Sequence, residues 1–299
     1  MNVLRPGISA CCFLLLGAAC LAEPVSRDPR LAAAIPSIES TIAKSGADVA
    51  LAYQSLDGRA SWYLEPDEPL HAASTMKVPV LIELYQQAHQ GKLRLEDALV
   101  IKNEFQSLLD GSPYALDSSD DSEADLYRAV GSTRTLAQLC ELMITVSSNL
   151  ATNLLIERLG VGNIQHGVQA LGADGMKVLR GVEDEKAFKA GLNNTTTARA
   201  LARLMEAIAN GEAVDPEASR AMSEILERQT FNDGIPAGLP AGTRVAHKTG
   251  EITRIQHDAA IVLAARPFVL VVLTRGVDDR RKSAALIAGI ARQLYAATE

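Results

Sequence analysis

His71-Ala72-Ala73-Ser74-Thr75-Met76-Lys77-Val78-Pro79-Val80 sets a hydroxyl and an amine three residues apart, just before an apolar run that continues to Tyr85. On a helix that spacing brings Ser74 and Lys77 onto one face, one turn from each other. Pro79 is tolerable only near a helix start, where its missing N–H costs little, so the helix is expected to open close to Ser74. Free backbone N–H groups there carry partial positive charge, which suits a site where an oxyanion develops. A Ser-x-x-Lys is nevertheless expected about once by chance in a chain of this size. By itself it reads as a capping serine followed by a surface lysine.

Working outward, Asp28 to Lys44 repeats its apolar residues at helical spacing, and short strand patterns follow at Asp48–Leu56 and Ala60–Leu64, turned by Asp57-Gly58. From the Ser74 helix to about Ala209 the periodic segments are helical: Thr133–Leu142, Asn149–Leu159, Gly162–Leu171 and Thr196–Ile208. Three strand-like runs then appear at Thr243–Lys248, Gln256–Ala264 and Phe268–Thr274, before a closing helix from Asp279 to Ala296. Neither end makes a convincing sheet alone. An α+β fold follows, in which residues 23–70 and 240–299 share one five-stranded antiparallel sheet with flanking terminal helices and residues 71–239 form an inserted helical domain carrying Ser74.

The 299 residues are 47% hydrophobic and 22% charged with a formal net charge of −7, which describes a globular chain without a basic stripe for nucleic acid or anionic membrane. A small-molecule substrate and a monomer are expected. Residues Met1 to Ala22 carry Arg5 as their only charge and an apolar run from Ile8 to Leu21, the pattern of a secretory signal cut near Ala22. The alternative is lipidation of Cys20 within Leu16-Gly17-Ala18-Ala19-Cys20. Either implies a periplasmic or secreted protein with no transmembrane anchor. Three of the four cysteines lie in that segment, leaving Cys140 in an apolar helical pattern as an inert core thiol. One cysteine builds neither a disulfide nor a metal cluster, and His71, His89 and His166 have no metal-ligand spacing, so neither metal nor cofactor is expected.

Two further stretches bear on Ser74: Val146-Ser147-Ser148-Asn149, at the junction of two helices, and Val245-Ala246-His247-Lys248-Thr249-Gly250, at the end of a strand. Ser-x-x-Lys, Ser-x-Asn and Lys-Thr-Gly in this order resemble the three motifs of the penicillin-recognising serine enzymes, and most closely the class A β-lactamases, from about residue 30 to the C-terminus. The resemblance implies hydrolysis of a β-lactam amide through an acyl-enzyme on Ser74. Lys77, if packed against Lys248 away from water, would have its pKa lowered far enough to accept the Ser74 proton. Ser147 would pass that proton to the leaving nitrogen, and Asn149 would bond the amide side chain of the acylated substrate. Lys248 and Thr249 would meet a substrate carboxylate, Gly250 would let substrate lie close to the strand, and the Glu251 backbone N–H would be a second oxyanion donor.

Departures from the family pattern bear on the reaction. Ser148 stands where the family usually has aspartate, a loss that concerns loop support. The family's long loop carries a glutamate followed four residues later by an asparagine, which together hold the hydrolytic water. In the stretch Arg180 to Asn194, Ala187 stands four after Glu183 and Lys189 four after Glu185. Glu183 is the candidate base, with Glu185 behind it. If neither reaches the ester, the protein acts as a penicillin-binding D,D-peptidase or slow esterase; a non-catalytic sensor of penicillins or cell-wall fragments is a third reading. The run Asp117 to Asp125, five carboxylates in nine positions, reads as a solvated loop, or as a rim repelling anionic substrates. Arg254, Arg275 and His257 are further possible partners for a substrate carboxylate.

Overall fold

The computed structural model describes residues 28–299; the expected secretory signal and Cys20 lie outside them. Helix α1 (Pro29–Ser45) starts on Asp28, whose carboxylate accepts the N–H groups of Arg30 and Leu31. It buries Leu31, Ile35, Ile38 and Ile42, a stripe spaced four, three and four residues. Strands β1 (Asp48–Ser55) and β2 (Ser61–Leu64) follow, and β3 (Arg244–Ile252), β4 (Ile255–Leu263) and β5 (Phe268–Arg275) come about 180 residues later. They form one antiparallel sheet in the order β2-β1-β5-β4-β3. The two ends of the chain therefore meet in the β1–β5 pair, with Tyr53 opposite Leu270.

Both faces of this sheet are covered, which is why β5 and the second half of β4, Ala259 to Leu263, read as continuous apolar runs. Along β5, Val269, Val271 and Leu273 pack into the helical side, while Phe268, Leu270 and Val272 pack with α1 and the last helix, α10 (Arg280–Thr298). The inserted helical subdomain comprises α2 (Lys77–His89), α3 (Ala124–Arg128), α4 (Leu136–Thr145), α5 (Asn149–Leu159), α6 (Val161–Ala170), α7 (Glu185–Lys189), α8 (Ala198–Ala209) and α9 (Pro216–Glu227). Among the described residues, no helix is long and apolar enough to cross a membrane.

Several boundaries differ from the sequence reading. Helix α4 starts at Leu136, because Thr135 and Gln138 close a capping box and Thr133–Thr135 pairs as a short strand with Ala98–Val100. Strand β3 runs on to Ile252, since its partner β4 continues to Ile255. Helix α9 was not anticipated, although Asp215-Pro216 is a cap followed by a first-turn proline; Asp215 accepts from Glu217 and Ala218 N–H.

Candidate active site

Ser74 lies in a 3-10 turn, Ala73–Met76, that runs directly into α2. Ala73 is held at φ 46°, a conformation L side chains rarely adopt, and its N–H donates to His71 Nδ1 at 3.0 Å. The Ala72 N–H donates to the Asn194 carbonyl at 2.9 Å, and Thr75 Oγ1 to the Ala72 carbonyl at 2.6 Å. The turn is thus fixed from both sides before any substrate arrives. Strand β3 presses against it: a Cβ on Gly250 would stand 3.1 Å from both Ser74 N and Thr75 N, so a side chain there would have to push the turn or the strand back by a few tenths of an ångström.

Lys77 is fully buried against Ser147 and Asn149. Its Nζ donates to the Ser147 carbonyl at 2.7 Å, to Ser147 Oγ at 3.1 Å and to Asn149 Oδ1 at 2.8 Å. Burial lowers its pKa to about 7, against the pull of the Asp121 and Glu183 carboxylates in the opposite direction. Lys248, equally buried, donates to Ser147 Oγ at 3.0 Å and to the Thr249 carbonyl at 2.9 Å. Burial, and then repulsion from Lys77, push its pKa well below the usual lysine value. Ser147, at φ 60°, thus accepts from two amines, and with both lone pairs engaged its own O–H is free to turn into the cleft.

Asn149 couples this cluster to the long loop. Its Oδ1 accepts from Lys77, and its Nδ2 donates to Glu183 Oε1 at 2.5 Å. Burial is the main cause of a raised Glu183 pKa, with Asp121 and Asp120 adding to it and the Asn149 hydrogen bond opposing it. Glu185, in contrast, is exposed in the first turn of α7 and pairs with Lys189 at 3.2 Å. Of the two loop glutamates, only Glu183 touches the cluster.

Sequence reasoning missed the groups that hold this loop. Asn153 bonds both the N–H and the carbonyl of Val182, at 2.7 and 3.0 Å, and sits so close to Gly181 that a Cβ there would be 2.6 Å from its Oδ1. Asp184 caps α7 through Ala187 N–H and also accepts from Ser107 Oγ and Leu108 N. The Arg180 guanidinium reaches the Leu192 and Gly181 carbonyls and Asn193 Oδ1. Arg180 and Asp184 stand in a polar stretch, while Asn153 is a buried polar residue among the apolar ones of α5, which was the one local signal; the partners of all three lie in distant segments or across the loop.

Ser74, Asn149 and Glu251 stand where two lobes of one cleft meet, of about 580 and 670 Å³. Ser147, Thr249 and Gly250 line the first lobe and Glu183 the second. The Glu251 side chain is turned to Arg280, at 2.7 Å. Arg254 lines the cleft but is paired with Asp278 at 3.1 Å, while Arg275 pairs with Asp48 and Glu68. His257 is fully buried: Nδ1 accepts the Thr274 N–H and Nε2–H donates to the His71 carbonyl, so it supports the Ser74 turn and is unavailable to a substrate carboxylate. Burial takes its pKa to about 4, which keeps that tautomer neutral. The acidic run is not simply solvated, because Asp121 folds inward to the start of α5. Among the described residues, no group of three or more His, Cys, Asp or Glu side chains could hold a metal ion.

A double-covered antiparallel sheet with a helical subdomain, and a cleft between them holding serines and buried lysines, is the architecture of the serine hydrolases of the β-lactamase superfamily. The β-lactamase enzyme family matches residues 30–298, and the chain belongs to it. A β-lactamase of Streptomyces albus G is 30% identical over 54% of this chain, which spans about half the length of that relative, 53%. The β-lactamase of Sphaerobacter thermophilus superposes with a TM-score of 0.73 at 26% identity, covering 89% of this chain and 96% of that one. PBP-A superposes with a TM-score of 0.76 at 27% identity, covering 92% and 98%.

Proposed function

We propose that the protein is a serine β-lactamase that opens the β-lactam amide through an acyl-enzyme on Ser74. Neutral Lys77 takes the Ser74 proton as Oγ bonds the carbonyl carbon, and the backbone N–H groups of Ser74 and Glu251 receive the oxyanion. Collapse breaks the C–N bond, and the nitrogen leaves with a proton delivered through Ser147. Lys248 and Thr249 meet the substrate carboxylate, Gly250 leaves room for substrate along the strand, and Asn149 bonds the acylated side chain. Glu183 then removes a proton from a water that attacks the ester, and Ser74 recovers its own proton as the acid departs.

The observation that carries the hydrolytic reading is the Glu183 carboxyl, bonded to Asn149 at 2.5 Å in the cleft that Ser74 also lines. A base and a nucleophile bordering one cavity is what turnover of an ester requires. A second reading, a D,D-peptidase or esterase with slow deacylation, is favoured by Ala187 four residues after Glu183 and by the likeness to PBP-A. A point mutant of PBP-A has been solved as an acyl-enzyme complex with penicillin G. The leader points to a periplasmic or secreted site of action. A chromogenic cephalosporin assay coupled to intact-protein mass spectrometry separates the readings: turnover without an adduct is expected, a persistent adduct would establish slow deacylation, and no reaction at all would overturn both.

A further inference from the structure

Where the family usually has aspartate in its second motif, this chain has Ser148, fully buried, whose Oγ accepts the Ala151 N–H at 3.2 Å as the cap of α5. A carboxylate is nevertheless present at the same helix start, supplied by another segment. Asp121 Oδ2 accepts the backbone N–H groups of Asn149 and Leu150, each at 2.9 Å, together with the hydroxyls of Ser148 at 3.3 Å and Tyr127 at 2.9 Å. Its Oδ1 accepts the Glu123 N–H at 3.1 Å, which fixes the turn that delivers it. Four of these five bonds converge on one oxygen at the opening of an eleven-residue helix, where backbone donors lack intrahelical partners.

We propose that Asp121 is a positioning residue of the active site: by clamping the first turn of α5 it holds Asn149 between Lys77 and Glu183. Asn149 is the residue whose N–H it binds, and the Asn149 side chain reaches Lys77 Nζ at 2.8 Å and Glu183 Oε1 at 2.5 Å. Ser147, the partner of both lysines, is two residues before it in the same turn, in a strained φ 60° conformation that needs outside support. The Asp121 carboxylate therefore acts on the site twice, through backbone geometry and through its charge. The charge favours the protonated forms of Lys77 and Glu183, since both have their pKa raised by it. The other charges around Lys77 are Lys248, which repels it, and Glu183, which attracts it.

This inference rests on acylation at Ser74, and the test keeps the two apart. Acylation by a fluorescent penicillin is followed for the full chain, for Ser74→Ala and for Asp121 variants. Asp121→Ala is expected to acylate roughly a hundredfold more slowly, the cost of displaced catalytic groups. Asp121→Asn keeps an oxygen acceptor and removes the charge; it should hold the rate within a few-fold and move the acid limb of the acylation profile to lower pH by about half a unit. The double variant Asp121→Ala/Ser148→Asp, which returns a carboxylate to the helix start from the cap position itself, should recover about tenfold of the lost rate. Equal acylation and pH profile in the wild type and all three Asp121 variants would overturn the assignment of Asp121 while leaving Ser74 intact. An unchanged adduct in Ser74→Ala, or none in the wild type, would overturn the functional reading and this one with it.

Discussion

Lys77 and Lys248, from the first helix of the inserted subdomain and from an edge strand of the sheet, donate to the same oxygen atom, Ser147 Oγ, at 3.1 and 3.0 Å. Burial makes a proton costly on both amines, and repulsion from Lys77 adds to that cost at Lys248. The consequence is a lysine able to serve as a base near neutral pH, one helical turn from Ser74.

Acylation in a single-turnover experiment should therefore fall as pH drops through about 7, where Lys77 becomes protonated. A deprotonated amine accepts the serine proton and an ammonium does not, so the active form lies on the alkaline side. Lys77→Arg, which stays charged at any working pH, should lose on the order of a thousandfold in acylation rate. A flat profile between pH 5 and 9 would remove Lys77 as the base.

Glu183→Gln should acylate normally and deacylate about a thousandfold more slowly, trapping an adduct visible by intact mass. The amide keeps an oxygen facing Asn149 Nδ2, so the loop is expected to stay in place. Glu185→Gln should behave as the unmodified protein, because that carboxylate is spent on Lys189 at the surface. Loss of turnover in Glu185→Gln alone would reverse the assignment.

Gly250→Ala places a methyl group 3.1 Å from two backbone nitrogens of the Ser74 turn. Neither the turn nor the strand yields easily, since both are hydrogen-bonded elsewhere. Strain of roughly 1–3 kcal/mol follows, together with at least a tenfold loss of acylation as the turn is displaced. Thermal melts and penicillin labelling measure the two parts separately.

Asn153→Ala leaves the Val182 N–H without its partner and the Val182 carbonyl with only the longer bond from the Tyr114 hydroxyl, beside the candidate base. A destabilisation of about 2–3 kcal/mol is expected. Deacylation should suffer more than acylation, because the change touches the Glu183 loop and not the Ser74 turn. Calorimetry and the ratio of the two rates test this.

The Cys140 thiol is buried and its pKa is pushed up to about 12 by loss of solvent. Iodoacetamide at neutral pH should leave it unmodified in the native protein and alkylate it after denaturation. Native alkylation at Cys140 would show that α4 opens readily.

Ser74, Lys77, Ser147, Asn149, Lys248, Thr249 and Gly250 were legible because helix and strand periods are local and because their three short motifs resemble those of a known family. The same local patterns marked the terminal helices and five strands, since an apolar stripe or run reflects what each element must bury. The partner of each hydrogen bond in the candidate site was not legible. Glu183 and Glu185 are chemically alike and two residues apart, and only the packing of the loop against Asn149 and Asn153 turns one inward and leaves the other on α7 in solvent. Likewise Asp121 looked like one more charge in a solvated run until α5 was laid against it. Burial and partner choice depend on segments tens of residues apart meeting in space, so the lowered Lys77 pKa, the inward Asp121 and the supporting role of His257 were decided by tertiary structure alone, while the chemistry available at each position was already written in the chain.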